Sequence, residues 1–278
     1  MARARNQCSP YGGTLDHFVD SIATPLTAAA CSVGSQTPAR LAIANTILVA
    51  FIFCMEATLE NDTGEWFEPP PGGFGASLSS AMYVFLNMVF RSASYWGLVD
   101  PAVADVAWVG MAWIVCVAVV PVTMQLIRSV GTVRAFQAGF SFIFAFAVFG
   151  VLVEDRNGYM VFEVVRESAT GLTPVQFIFL GAAVSNRVSG GMIMRTCEGK
   201  HYSGFDWRTC MWTIIIGALF TARRLGWAAC TADATHAAWL ELTLQYLPYI
   251  AGTDLLCRGF VDMRALYVRV MLNPKRSE

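Results

Sequence analysis

Charged residues are scarce in this sequence of 278 amino acids, of which they form only 14%. A soluble globular chain carries about 25%, so the composition excludes an ordinary soluble domain. The net charge is -1, whereas nucleic-acid-binding domains are strongly basic, so nucleic acid is not an expected partner. Hydrophobic residues, by contrast, form 55% of the chain, which indicates that lipid surrounds much of it.

Side chains that bind metals or cofactors are few and poorly spaced. The eight cysteines form no C-x-x-C pair, and three of them (Cys54, Cys116 and Cys210) lie in apolar runs, which is typical neither of a disulfide framework nor of a metal site. The three histidines, His17, His201 and His236, lie outside the middle of these runs, which argues against a haem held by two histidines within the bilayer. We expect no cofactor, no metal and no catalytic centre in the chain itself.

Apolar residues recur in seven runs, each near the roughly 20 residues that cross a bilayer as a helix. They cover 41–59, 79–98, 105–127, 135–153, 172–194, 209–229 and 237–257. We therefore predict an all-α polytopic integral membrane protein. Its predicted parts are an N-terminal extension (1–40), a single transmembrane helical domain (41–258) and a basic C-terminal tail (259–278).

The distribution of basic residues indicates how many runs cross, because such residues collect on the side that is not translocated. If all seven runs cross, the nineteen basic residues divide eight to eleven. If the run 79–98 instead enters and leaves by one face, or lies in the interface, they divide fourteen to five. We predict six transmembrane helices, with seven as the alternative, and an in-plane or re-entrant helix near 79–98.

The run 79–98 is also unusually polar for a helix that faces lipid, since it contains Asn87, Arg91 and several serines. Polar segments at membrane depth survive when they are buried in protein or line water. The preceding EPPPGGFG (68–75) combines a stiff proline turn with a flexible glycine turn. This pattern is typical of a chain that reverses direction at the membrane surface.

Arg187 lies where the fifth apolar run ends, directly after Asn186 and beside Gly190 and Gly191. The two glycines allow another chain segment to approach closely. One interpretation is a boundary arginine at a helix end. The other is an arginine that faces a water-filled half-channel and polarises a carboxylate on a neighbouring element.

Four further polar residues are candidates for such a pathway. Glu241 and Gln245 lie one turn apart in the last run, and a carboxylate inside a span costs about 2.5–3.5 kcal/mol, although Glu241 is close to the helix start. Glu163 and Glu167 share a helical face with Arg166. That segment is either an amphipathic helix in the interface or a solvated loop helix.

Several short motifs resemble subunit a of the rotary ATP synthase and follow the same order along the chain. That family has an arginine, an asparagine four residues on and then a glycine, which the segment NRVSGGMIM (186–194) resembles; Leu240–Glu241 and TLDHFVDSIATPL (14–26) are similar to its last helix and to its start. The position of the family's arginine is occupied here by Ala182, so Arg187 would act from a neighbouring position.

This resemblance implies proton translocation in a multi-subunit energy-transducing complex. Arg187 would be the barrier charge, Glu241, Glu163 and Glu167 the half-channel carboxylates, and Asn186 and Gln245 the polar lining. The partners would be other membrane subunits, and the membrane the mitochondrial inner membrane, with the plasma membrane as the alternative.

A second likeness involves residues 47–90, which resemble the outer helix, turret and pore helix of a tetrameric cation channel. The next residues, RSASYWGLVDP (91–101), lack the filter sequence whose carbonyls replace the water of potassium. Two alternatives to proton translocation therefore stay open: a non-catalytic accessory membrane subunit of such a complex, and a stand-alone pore-loop channel or transporter.

Overall fold

The computed structural model describes residues 10–34, 39–65, 67, 115–153, 171–226 and 234–272, together with single residues and short stretches between 82 and 100. This described part is helical, and its only β-type pairing is an isolated bridge between Val153 and Leu172. The predicted all-α class is confirmed.

Eight helices carry the described part of the fold. They are α1 (Pro10–Gly34), α2 (Ala39–Thr63), α3 (Val120–Ser129, preceded by a π-helical turn at Val115–Val119), α4 (Thr132–Leu152), α5 (Pro174–Ser185), α6 (Gly191–Cys197), α7 (Trp207–Arg224) and α8 (Ala234–Leu272). A second π-helical turn, Asn186–Gly190, joins α5 to α6 in one continuous rod.

Local sequence explains where the central helices begin. Thr173 and Gln176 form a reciprocal capping box at the start of α5, with Pro174 in the first turn, where its missing N–H costs nothing. Asp206 caps α7 by accepting a hydrogen bond from the backbone of Thr209. These caps satisfy amide groups that a helix start otherwise leaves unpaired.

By length and composition, three helices of the described part can cross a membrane: Ala42–Thr63, Thr132–Leu152 and Pro174–Cys197. A shorter apolar helix covers Val117–Ser129. The apolar windows of the first and third are 78% and 83% buried, against 44% for the second. The first and third are therefore central, while α4 exposes an apolar face, as expected of a helix at the lipid boundary. These helices support the predicted membrane protein but not a count of six spans.

Side-chain contacts define two ends of the bundle. At one, which we call the Arg187 end, Asp62 of α2 binds Arg134 of α4, and Glu198 after α6 binds Arg269 of α8. At the other, the Arg223 end, Arg223 of α7 binds Glu241 of α8. Also at the Arg223 end, Arg224 of α7 donates to the carbonyl of Leu152 in α4, and Asn45 of α2 contacts Ser32 of α1.

These contacts disagree with the predicted path between the first two spans. Thr123 of α3 contacts Met55 of α2, and Arg134, just beyond α3, binds Asp62, so α2 and α3 run in the same direction. The end of α2 and the start of α3 consequently lie at opposite ends of the bundle, whereas the six-span arrangement requires one end for both. The acidic C-terminal end of α2 therefore lies at the end of the bundle that holds basic residues, where Arg134 pairs with Asp62. From Arg128 onward along the chain, the helix directions agree with the fourteen-to-five division of basic residues.

The expected boundaries at 40 and 258 fall within helices. Helix α1, in the expected N-terminal extension, buries Phe18 and Ala28 in the bundle, and α8 continues through 258 to Leu272. Eight residues of the predicted re-entrant helix near 79–98 lie outside the described residues, including Asn87 and Arg91; the described residues 82, 85–86, 89–90 and 92–95 are helical.

Candidate functional site

The π-helical turn Asn186–Gly190 separates polar side chains onto two sides of the α5–α6 rod. Asn186 and Ser189 are fully buried, whereas Arg187 is half-buried. A π turn inserts an extra residue into a helix and changes which side its neighbours face, and such turns are frequent at functional sites. The predicted Asn186–Arg187 motif therefore lies at the most irregular point of the central rod.

Arg187 binds two carboxylates from different elements. Its Nε donates to Oδ1 of Asp206 at 3.0 Å, and a terminal nitrogen donates to Oδ2 of Asp262 in α8. The side chain of Asp206 is only 8% exposed, and that of Arg187 17%. Arg187 thus links the central rod to the start of α7 and to α8.

Asp206 is itself held by three further hydrogen bonds. Its Oδ2 accepts one from the backbone N of Thr209 at 2.9 Å and one from the Thr209 hydroxyl at 2.7 Å. Its own backbone N–H donates to the hydroxyl of Ser141 in α4 at 2.8 Å. Because these partners occupy the carboxylate and fix its backbone, Asp206 acts as a structural anchor for Arg187.

The glycines beside Arg187 permit close packing, as the sequence indicated. A Cβ at Gly190 would lie 2.9 Å from the ring of Phe18 in α1, and one at Gly191 would lie 3.2 Å from the ring of Tyr202. Helix α8 comes equally close, since a Cβ at Gly259 would collide with the side-chain oxygen of Asn186.

Burial, with Asp206 nearby, raises the pKa of Tyr202 above its usual value.

Glu241 and Gln245 lie far from Arg187. Glu241 pairs with Arg223, and the backbone carbonyl of Gln245 accepts a hydrogen bond from Gln176 at 2.8 Å. On the continuous helix α8, Glu241 and Asp262 are about 30 Å apart at 1.5 Å per residue. The structure does not bring Glu241 to Arg187. Glu163 and Glu167 lie outside the described residues.

A different set of polar side chains is buried where α1, α2 and the π turn meet. We call it the polar seam; its buried members are Thr14, Ser21, Thr24 and Ser32 on α1, Asn45 and Glu56 on α2, and Ser185, Asn186 and Ser189 on the central rod. Two half-buried residues, His17 on α1 and Glu60 on α2, complete it. Asn186 donates to the hydroxyl of Ser21 at 3.0 Å, and Asn45 donates to that of Ser32 at 3.5 Å. His17 lies close enough to Glu60 to interact with it electrostatically. Between Ser32 and His17 the seam extends about 22 Å along α1.

Some buried atoms of this seam have no hydrogen-bond partner among the described residues. They include Asn45 Oδ1, Glu60 Oε2, Ser185 Oγ and Asn186 Oδ1. A buried polar atom without a partner costs about 1–3 kcal/mol, so such atoms are rare in native proteins and call for an explanation. Glu56 is also only 2% exposed, which places a carboxyl group within the bundle.

No protein-family model, curated protein or solved structure matches this chain. The described residues also contain no group of three or more His, Cys, Asp or Glu side chains placed to hold a metal ion. A function for the chain therefore has to be inferred from its two polar clusters, the Arg187 network and the polar seam.

Proposed function

We propose that this chain is a membrane subunit of a multi-subunit energy-transducing complex and that protons move along its polar seam. The observation that carries the proposal is the line of hydroxyl, amide and carboxyl side chains buried between α1, α2 and the π turn. A proton pathway needs titratable groups joined by hydrogen bonds or single waters. The resemblance to subunit a, which includes residues 14–26 of α1 and Asn186, supports the same function.

Glu56 and Glu60 are the proposed proton carriers. They lie one turn apart on α2, so their side chains share a face, and His17 of α1 lies close to Glu60. Unpartnered oxygens of Asn186 and Ser185 continue the seam toward the middle of the bundle. Water molecules bonded to these oxygens would complete the relay, because buried waters occupy polar sites of this kind.

Arg187 has a different role in this proposal from the one that the resemblance implies. Its guanidinium is held by Asp206 and Asp262, and it leaves the rod on another side from the buried Asn186. We assign it the task of fixing α7 and α8 against the central rod. Asn186 belongs to the pathway, whereas Glu241 and Gln245 lie outside it.

We also propose that α2, α3, α4, the α5–α6 rod, α7 and α8 cross the membrane. Because α2 ends and α3 begins at opposite ends of the bundle, the chain must cross once more between them, which favours the seven-span alternative, with the run 79–98 as the additional span, over six spans with a re-entrant helix. The partners are lipid and other membrane subunits. The proposed location is the mitochondrial inner membrane, with the plasma membrane as the alternative.

The test is proton flux through the purified assembly in liposomes with Glu56→Gln or Glu60→Gln. We expect either change to reduce flux at least about tenfold, which corresponds to about 1.4 kcal/mol, while the assembly stays intact. Glu65→Gln, on an exposed residue just beyond α2, is the matched control. Unchanged flux in both seam variants would reject the pathway, and a selective loss in Glu241→Gln would favour the resemblance-based one.

A second candidate function is that of an accessory subunit that only packs against its partners. The paired state of Arg187 favours it, since the carboxylate of Asp206 also caps α7 and its backbone is tied to α4. The flux measurement above separates this function from the proton pathway, and native mass analysis after extraction in mild detergent separates both from a stand-alone channel. Recovery in a large assembly is expected for both membrane-subunit functions, whereas recovery as a free homo-oligomer would favour a stand-alone channel.

A further inference from the structure

A cleft of about 460 Å³ opens at the Arg187 end between α6, α8 and the loop before α7. Its floor includes Arg187, whose single positive charge is paired with two carboxylates, Asp206 and Asp262. Arg195 and Arg269 line its outer part. The cleft is separate from the polar seam, so a ligand bound in the cleft would be independent of the proposed proton pathway.

The outer part of the cleft carries an excess of positive charge. One carboxylate, Glu198, accepts hydrogen bonds from Arg195 at 3.3 Å, Lys200 at 3.1 Å and Arg269 at 2.6 Å. The side chain of Glu198 is 13% exposed, whereas those of the three cations are 51–60% exposed. Three cations share one anion here, and their remaining N–H groups are available to a further anion.

A groove that contains three phenylalanine side chains continues from this cleft. The second cavity, of about 370 Å³, is lined by Phe136 and Phe140 of α4 and shares Ser203 and Phe205 with the cationic cleft. The three phenylalanine side chains are 38–59% exposed. Phe136 and Phe140 belong to α4, which is the least buried of the three candidate spans.

We propose that the two cavities together bind an anionic phospholipid. Arg195, Lys200 and Arg269 bind its phosphate, and an acyl chain lies along Phe136, Phe140 and Phe205. Guanidinium groups match phosphate oxygens in geometry as well as charge, and basic pockets between membrane helices suit acidic headgroups. A soluble phosphate would use the cationic cleft alone and leave the groove uncovered.

Native mass spectrometry of the full chain in neutral detergent tests this proposal by counting retained lipid. Dioleoyl phosphatidylglycerol is the anionic probe and dioleoyl phosphatidylcholine the neutral one. The triple variant Arg195→Gln, Lys200→Gln, Arg269→Gln is expected to lower phosphatidylglycerol retention at least about tenfold. The charge-matched control Arg128→Gln, Arg258→Gln, Arg264→Gln removes three exposed cations outside the cleft and is expected to retain the lipid.

A second variant separates a lipid from a soluble phosphate. Phe136→Ala with Phe140→Ala is expected to weaken phosphatidylglycerol retention and to leave the binding of inorganic phosphate unchanged. Equal losses in the two triple variants would overturn the proposal, because they would show attraction to charge alone. Displacement of the lipid by inorganic phosphate at equal concentration, with no effect of the phenylalanine changes, would assign the cleft to a soluble anion instead.

Discussion

The two ends of the bundle each hold an arginine against a carboxylate, but the pairs differ in how much structure depends on them. Arg187 binds Asp206, which is 8% exposed and also caps α7. Arg223 is itself only 9% exposed, but it binds Glu241, whose side chain is 39% exposed. Breaking a buried pair leaves a charge without compensation, whereas an exposed partner is solvated by water. The burial of the carboxylate partner therefore determines how much each arginine contributes to the free energy of unfolding.

The largest expected effect is at Arg187. Arg187→Gln should destabilise the fold by about 3–5 kcal/mol, because it leaves the buried Asp206 carboxylate without its cation. Denaturation of the purified protein in detergent measures this change. Adding Asp206→Asn should recover part of the loss, as expected for coupled residues. A loss no larger than that of Arg223→Gln would contradict the comparison.

The next prediction for the Arg187 end concerns Gly204, in the loop that carries Asp206. Gly204 has φ +79°, and a Cβ there would overlap the backbone of Gln137 in α4. Gly204→Ala should cost about 2–4 kcal/mol, from left-handed strain and collision together. Gly199 is the control, since it has φ +64° and open space around it; Gly199→Ala should cost only about 1–2 kcal/mol. Equal losses in thermal unfolding would show that the collision is relieved by movement of the loop.

The third prediction concerns Gly259, where α8 packs closely against the central rod. This packing brings Asp262 of α8 to Arg187. Gly259→Ala should cost about 1–3 kcal/mol, since the new methyl group meets the side chain of Asn186. Gly150→Ala in α4, where nothing lies within 4 Å, should leave stability unchanged or slightly raise it. Thermal unfolding of both variants checks the difference, and a neutral Gly259→Ala would mean that α8 can shift without losing its contacts.

The smallest effect is expected at the other end. Arg223→Gln should cost about 1–2 kcal/mol, because the Glu241 carboxylate left behind is 39% exposed and solvated, while loss of the Arg223 side chain, itself 9% exposed, removes packing. At high salt, the same denaturation measurement should show a smaller difference in free energy of unfolding between Arg223→Gln and the unchanged protein. A loss above about 2 kcal/mol would remove the contrast between the two ends.

Sequence patterns predicted the helical class and the positions of most helices because apolar runs report burial directly. They also located the Asn186–Gly190 segment and the close packing at its glycines. They missed α1 as part of the bundle, since its buried face consists of hydroxyl-bearing and small side chains, with Phe18 as its one large apolar residue. The spacing of Thr14, His17, Ser21 and Thr24, which repeats every three or four residues, was the available signal.

The ion pairs were not predictable in the same way. Asp206 precedes a helix and is followed three residues later by Thr209, a pattern that indicates a helix cap, but nothing in the spacing selects Arg187 as its partner. Asp262 lies beyond the last apolar run, where the sequence predicted a separate tail. The predicted Arg187–Glu241 relation followed from a resemblance, and the length of α8 separates these two residues.

The length of α8 has a mechanical consequence. Its 39 residues form a rod about 58 Å long at 1.5 Å per residue, which exceeds the roughly 40–45 Å thickness of a whole bilayer. Upright in a membrane, such a rod projects into water at one or both surfaces; if tilted, it takes up more of its length within the lipid. Helix α8 contacts α7 through Glu241 and the central rod through Asp262. A change in membrane thickness that alters the tilt of α8 would therefore shift its contacts at both ends of the molecule together.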